Sequence, residues 1–200
     1  MQGSSQKILQ LLKIRTVLRP ADLDELGIPR ITLHRLHKRG QVEKVAHGLY
    51  QLPDAQISEH HSLAEAAKMV PKGVICLLSS LRFHGLTTQA PHEIWMAIDR
   101  KTRLPVVKGL PLRFVRFSGE SLTEGTEIHS IDGVPMRIYT PAKTVADCFK
   151  YRNKIGLDVT LEALNDCRRS RLCEGDALWR FAKICRVSNV MRPYLEAMNA

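Results

Sequence analysis

Arg30, Thr32, His34, Arg35, Lys38 and Arg39 crowd into one ten-residue stretch, Arg30-Ile31-Thr32-Leu33-His34-Arg35-Leu36-His37-Lys38-Arg39. If that stretch is a helix, Leu33 and Leu36 share one face and turn inward. The opposite surface then presents cations and hydrogen-bond donors. Arginine pairs bidentately with guanine O6 and N7, and threonine or histidine reaches phosphates or thymine methyls. Such a helix is expected to enter the major groove of double-stranded DNA, which is about 12 Å wide. Lys44 and His47 follow closely and would touch the neighbouring backbone. A solvated basic face is the plain alternative for any charged helix. Here a tight turn before the helix and a hairpin after it both favour the DNA reading.

Other residues offer less. Asp99-Arg100-Lys101 follows an apolar run and has the form of half a metal-dependent nuclease motif. The other half is an upstream acid, and Asp54, Glu59 and Glu65 are available without being placed by spacing. Gly85-Leu86-Thr87-Thr88 lacks the further glycines and the lysine of a phosphate loop. No serine sits in a G-x-S-x-G elbow. The cysteines at 76, 148, 167, 173 and 185 include no C-x-x-C pair, so buried, reduced thiols are expected rather than a zinc site. Lys143 and Asp147 stand four apart, the spacing of a modest surface pair. No enzyme activity, cofactor or metal is expected. Two further basic stretches, Arg100 to Arg116 and Arg168-Arg169-Ser170-Arg171, read either as solvated charge or as docking surfaces.

The elements that hold these residues follow from apolar spacing and punctuation. Ile8, Leu11 and Leu12 recur at helical spacing after Ser4-Ser5, which can cap. Pro20 to Leu26 reads as a short second helix stopped by Gly27. Arg30 to Arg39 is the third, stopped by Gly40. Two β-prone runs around Ala46-His47-Gly48 make a hairpin, and Pro53 ends the module. This order is that of a winged helix-turn-helix. A polar linker over 53–60 leads to an alanine-rich helix, Ser62 to Met69. Val74 to Leu78 is a buried strand or the start of a buried helix. Ser79 to His84 looks helical. Strands are expected at 93–98 and 113–117. Asp132-Gly133 joins 127–131 to 134–139 as a hairpin. Thr140-Pro141 caps a helix, and two more apolar helical faces follow before a last helix near Pro193. The predicted fold class is α+β: a winged helix-turn-helix at 1–55, then a mixed α/β domain at 60–200 that ends in helices.

The chain has 200 residues, of which 44% are hydrophobic and 25% charged, so it is globular rather than disordered. No run suits a membrane span or a signal peptide, and a cytoplasmic location with no membrane partner is expected. The formal net charge is +10. Residues 1–52 hold nine Lys/Arg against four Asp/Glu, half of that excess in a quarter of the length. A polyanionic partner is implied, with the basic charge densest at the amino end.

Three segments together carry a family likeness: Leu36-His37-Lys38-Arg39-Gly40-Gln41-Val42-Glu43-Lys44-Val45 running into Gly48-Leu49-Tyr50; Leu81-Arg82-Phe83-His84-Gly85-Leu86-Thr87-Thr88-Gln89-Ala90-Pro91; and Thr140 to Arg152. The chain resembles the AbiEi antitoxins of type IV toxin–antitoxin and abortive-infection systems. The resemblance implies that the winged helix represses its own operator DNA. It implies too that the following domain counteracts a nucleotidyltransferase-like toxin without needing a stable complex. Two other readings stay open: a winged-helix transcription factor with a ligand-sensing second domain, and a nuclease-like enzyme.

Overall fold

The computed structural model describes residues 2–46, 48–55 and 58–197. The chain divides into two compact units. The first comprises Met1–Pro71, Pro105–Pro111 and His129–Met136; the second comprises Lys72–Leu104, Leu112–Ile128 and Arg137–Ala200.

The first unit opens with α1 (Gln2–Ile14). Ser4 and Ser5, expected as caps, lie inside it. Pro20–Leu26 is helical but wound as a 3-10 segment. The backbone N–H of Arg19 donates to Asp22 Oδ2 at 2.7 Å, which fixes its start. Helix α2 (Ile31–Lys38) follows, then the antiparallel hairpin of β1 (Glu43–Ala46) and β2 (Leu49–Gln51). Leu18 and Tyr50 exchange backbone hydrogen bonds at 2.9 and 3.0 Å, tying the segment after α1 to the hairpin. Ile8, Leu12, Leu18, Leu23, Ile28, Leu33, Leu36, Val42 and Tyr50 form one buried cluster. Burying that many branched side chains, at about 1.5–3 kcal/mol each, is what holds so short a module together.

Helix α3 (His61–Met69), expected in the second domain, belongs to the first unit. Lys68 reaches Asp22 Oδ2 at 2.8 Å, and both side chains are nearly buried. Two residues of the predicted linker, 56 and 57, lie outside the described residues.

A five-stranded sheet comprises β3 (Val74–Ile75), β4 (Ile94–Asp99), β5 (Leu112–Phe117), β6 (Thr126–Ile131) and β7 (Val134–Tyr139), in the order β5-β4-β3-β7-β6, and β3, β4 and β5 lie wholly in the second unit. β3 runs antiparallel to β4 and parallel to β7, and β4 runs parallel to β5. The apolar run from Val74 is both things at once. It is a two-residue strand that passes directly into α4 (Leu77–Phe83). A short α5 (Glu120–Thr123) precedes β6. Then come α6 (Pro141–Ile155), α7 (Leu157–Arg169), α8 (Gly175–Ile184) and α9 (Ser188–Ala197). Their buried faces include Val145, Phe149, Leu164, Leu178 and Phe181. The last helix starts at Ser188 and carries Pro193 in its second turn, where the missing N–H forfeits a single bond.

The β6–β7 turn is tight. Asp132 and Gly133 both take the left-handed region, with φ of 51° and 71°, as a type I′ turn requires. A Cβ at Gly133 would stand 2.2 Å from the carbonyl oxygen of Ile14, so glycine is also needed for close approach. The tip is held within the first unit. Thr16 N–H donates to the Asp132 carbonyl at 2.9 Å, and the Asp132 carboxylate takes His61 Nδ1 at 2.8 Å and Ser58 N–H at 3.3 Å.

Two local expectations need correction. Thr140 occupies the N-cap of α6, but its hydroxyl finds no hydrogen-bond partner among the described residues. Cys167 and Cys173 are not free thiols but a disulfide, because the turn after α7 brings their Cα atoms to 5.4 Å. Cys76, Cys148 and Cys185 are free and buried.

Candidate nucleic-acid interface

Helix α2 divides as its sequence demands. Leu33 and Leu36 are fully buried in the first unit's core, while His34, Arg35, Lys38 and Arg39 are exposed and Thr32 is half-buried. His37 is drawn away from the outer face. Its Nδ1 lies 3.1 Å from the Val42 carbonyl, and its ring meets Tyr50 edge-on at 5.8 Å. That contact braces the end of α2 against the wing, where Lys44 is exposed on β1. His47 lies outside the described residues.

Arg30 is held by an ion pair. Its guanidinium grips both oxygens of Asp24, with Nε 2.9 Å from Oδ1. The hydrogen bond from Arg30 holds the Asp24 carboxyl below its usual range, and Asp24 raises Arg30 in return. The pair spans the tight turn between the 3-10 segment and α2, so Arg30 orients the helix as well as adding charge to it.

Beside α2 lies a groove of about 580 Å³, lined on one side by Thr32, Arg35 and Arg39 and on the other by Ser4, Ser5 and Gln6 of α1. From sequence, Ser4 and Ser5 suggest only a helix cap, and Gln6 carries no expectation. Their consecutive polar side chains were the available signal that the start of α1 presents hydroxyls and an amide beside the basic helix.

Asp99 and Glu65, two of the other sequence candidates, have local contacts. Lys101 N–H donates to Asp99 Oδ1 at 2.7 Å, so that carboxylate closes a turn at the end of β4. Glu65 packs beside His61 in the first unit, where burial pushes its carboxyl up against the pull of His61. Among the described residues, no three His, Cys, Asp or Glu side chains are grouped to hold a metal ion.

Lys143 and Asp147 are the plainest departure from expectation. They are not a surface pair; both are fully buried in the second unit. Lys143 Nζ meets Asp147 Oδ2 at 2.5 Å and lies 4.1 Å from the Tyr139 ring centroid and 5.0 Å from that of Phe117. Cys185 Sγ donates to the other oxygen, Oδ1, at 3.1 Å. Burial pushes the Asp147 carboxyl up, and Lys143 pulls it back. Burial, then the charge of Asp147, pushes the Cys185 thiol up to about 12. Cys76 and Cys148 are pushed up by burial as well, which makes all three poor nucleophiles.

Three helical segments with a tight turn before the last, a basic outer face and a two-stranded wing define a winged helix-turn-helix. Residues 6–53 match the family model described as a transcriptional regulator, AbiEi antitoxin. The match falls on the segment that carries the amino-terminal part of the likeness in the sequence. No curated protein sequence matches the chain. Among the described residues, no helix is long and apolar enough to cross a membrane.

Proposed function

We propose that this protein is an antitoxin that represses its own operon by binding duplex DNA, and that it acts without catalysis. The observation that carries the reading is α2, whose leucines are buried while His34, Arg35, Lys38 and Arg39 face outward beside the wing. Arg35 and Arg39 read guanine edges or phosphates, Thr32 and His34 add shorter contacts, and Lys38 and Lys44 neutralise the backbone. Arg30 sets the angle of the helix through Asp24. The recognition helix and wing lie within residues 1–55. The surface that opposes the toxin lies within residues 60–200. The toxin is a nucleotidyltransferase-like protein, counteracted without a stable complex.

The test has two parts. DNA from upstream of the coding region is bound by the full chain, and affinity is followed across salt. Log affinity falls with log salt with a slope near −0.9 per neutralised phosphate, and Arg35→Glu/Lys38→Glu abolishes the shift. A flat salt titration, or unchanged binding by the double variant, refutes the DNA reading. Separately, the chain is co-expressed with the adjacent gene and growth is scored. The same double variant keeps protecting cells if repression and toxin opposition reside in different parts of the chain. Incubation with labelled RNA and DNA in Mg²⁺ or Mn²⁺ leaves both intact; cleavage that is lost in Asp99→Ala/Lys101→Ala overturns the non-enzymatic reading.

A further inference from the structure

Between Asp99 and Glu120 the chain carries six basic residues and no acid. Two are used internally in the second unit. Arg113 pairs with Glu93 at 3.3 Å and lies 4.3 Å from the Trp95 ring centroid. Arg116 donates to the carbonyls of Arg100 and Thr102 at 2.7 and 2.8 Å. Lys108 is placed differently. It is exposed, in the segment Pro105–Pro111, which belongs to the first unit. The next residue, Gly109, has a φ of +93°, and a Cβ built there would stand 3.5 Å from the Ala46 Cβ and 3.7 Å from its Cα. Ala46 is the last residue of β1, the wing strand that presents Lys44. A segment far along the sequence thus runs against the wing, and the small side chain of Ala46 lets its backbone come close.

We infer that Pro105–Pro111 extends the wing and that Lys108 contacts the phosphate backbone of the DNA that α2 and the wing engage. The inference rests on the DNA-binding reading above and adds a binding residue to it. A wing follows the backbone beside the groove, where position matters and base identity does not. A phosphate contact of this kind needs a cation at the right place rather than a fixed fork, and lysine supplies a compact charge on a flexible stem. The two prolines restrict the ends of the segment, the left-handed Gly109 turns it at the wing, and it holds no carboxylate to repel DNA.

The experiment measures binding of the full chain to a short random-sequence duplex, from about 50 to 200 mM salt. Lys108→Gln weakens binding and makes the log–log salt slope shallower by about 0.9, the loss of one neutralised phosphate. Lys108→Arg restores the wild-type slope. Arg35→Glu/Lys38→Glu is run alongside. If it loses binding while Lys108→Gln matches wild type in affinity and slope, the inference is overturned and the DNA reading stands. If the double variant also binds as wild type, both fail together.

Discussion

Replacing Lys143 by methionine removes one charge from the second unit's core while leaving the side-chain volume nearly unchanged. In the native protein the ammonium and the Asp147 carboxylate are both fully buried, and each is the other's only opposite charge in direct contact among the described residues. Lys143→Met therefore leaves a buried carboxylate with Cys185 Sγ as its remaining side-chain donor. Breaking a buried pair from one side costs about 3–5 kcal/mol. The loss depends on pH, and its sign is fixed by the direction in which burial moves Asp147. Burial already pushes that carboxyl up, and Lys143 is what opposes it, so the variant raises it further. A group whose folded pKa is raised contributes its stability below the unfolded value, about 4, and loses it as pH rises through the folded value. Stability of Lys143→Met thus falls by up to about 1.4 kcal/mol per pH unit across that window. Urea denaturation followed by circular dichroism, at about pH 5 and about pH 8, reads both effects. Lys143→Met/Asp147→Leu removes both charges and regains most of the loss, since an apolar pair of similar volume is often no worse. A single variant that loses less than about 1 kcal/mol at both pH values, or a double variant no better than the single, would refute the claim that this pair is desolvated.

Two other outcomes follow from the packing. Burial pushes Asp22 up, but hydrogen bonds from Lys68 and Arg19 outweigh it and hold the carboxyl below the usual range; its stabilisation is present above about pH 4 and is lost as acid protonates it. Lys68→Met costs about 2 kcal/mol at neutral pH and flattens the acid limb of the stability curve, read by thermal melts across pH. Phe149→Ala, at a ring with no exposure, costs about 3–5 kcal/mol in urea denaturation, and a value under about 1 kcal/mol means the ring is not core.

The first unit was the more legible part because its order is local. Alternation, glycine stops and a short wing hairpin can all be read within a few residues, and the outer face of α2 follows once Leu33 and Leu36 are inside. What escaped was decided by distant partners. Spacing places Lys143 and Asp147 on one stripe of α6, but not which way the stripe faces; Phe117 and Cys185, from elsewhere in the sequence, decide that. Helix α3 looked like the start of a second domain because nothing local announces that Lys68 meets Asp22. Val74 to Leu78 was ambiguous for a real reason, since it changes from strand to helix within the run. The contact of Gly109 with Ala46 has no local signature at all.

The turn at Asp132-Gly133 also bears on how the protein is made. The first unit includes Pro105–Pro111 and His129–Met136, so it is not complete when Pro71 leaves the ribosome. Roughly 65 more residues must be translated before Asp132 can accept from Thr16 and His61. At about 5–20 residues per second that interval is roughly 3–13 s. During it the amino-terminal helices exist as a nascent chain without their last supporting segments. A message truncated before the β6–β7 turn therefore yields a first unit lacking one of its braces, and the timing of translation is written into the architecture of the unit.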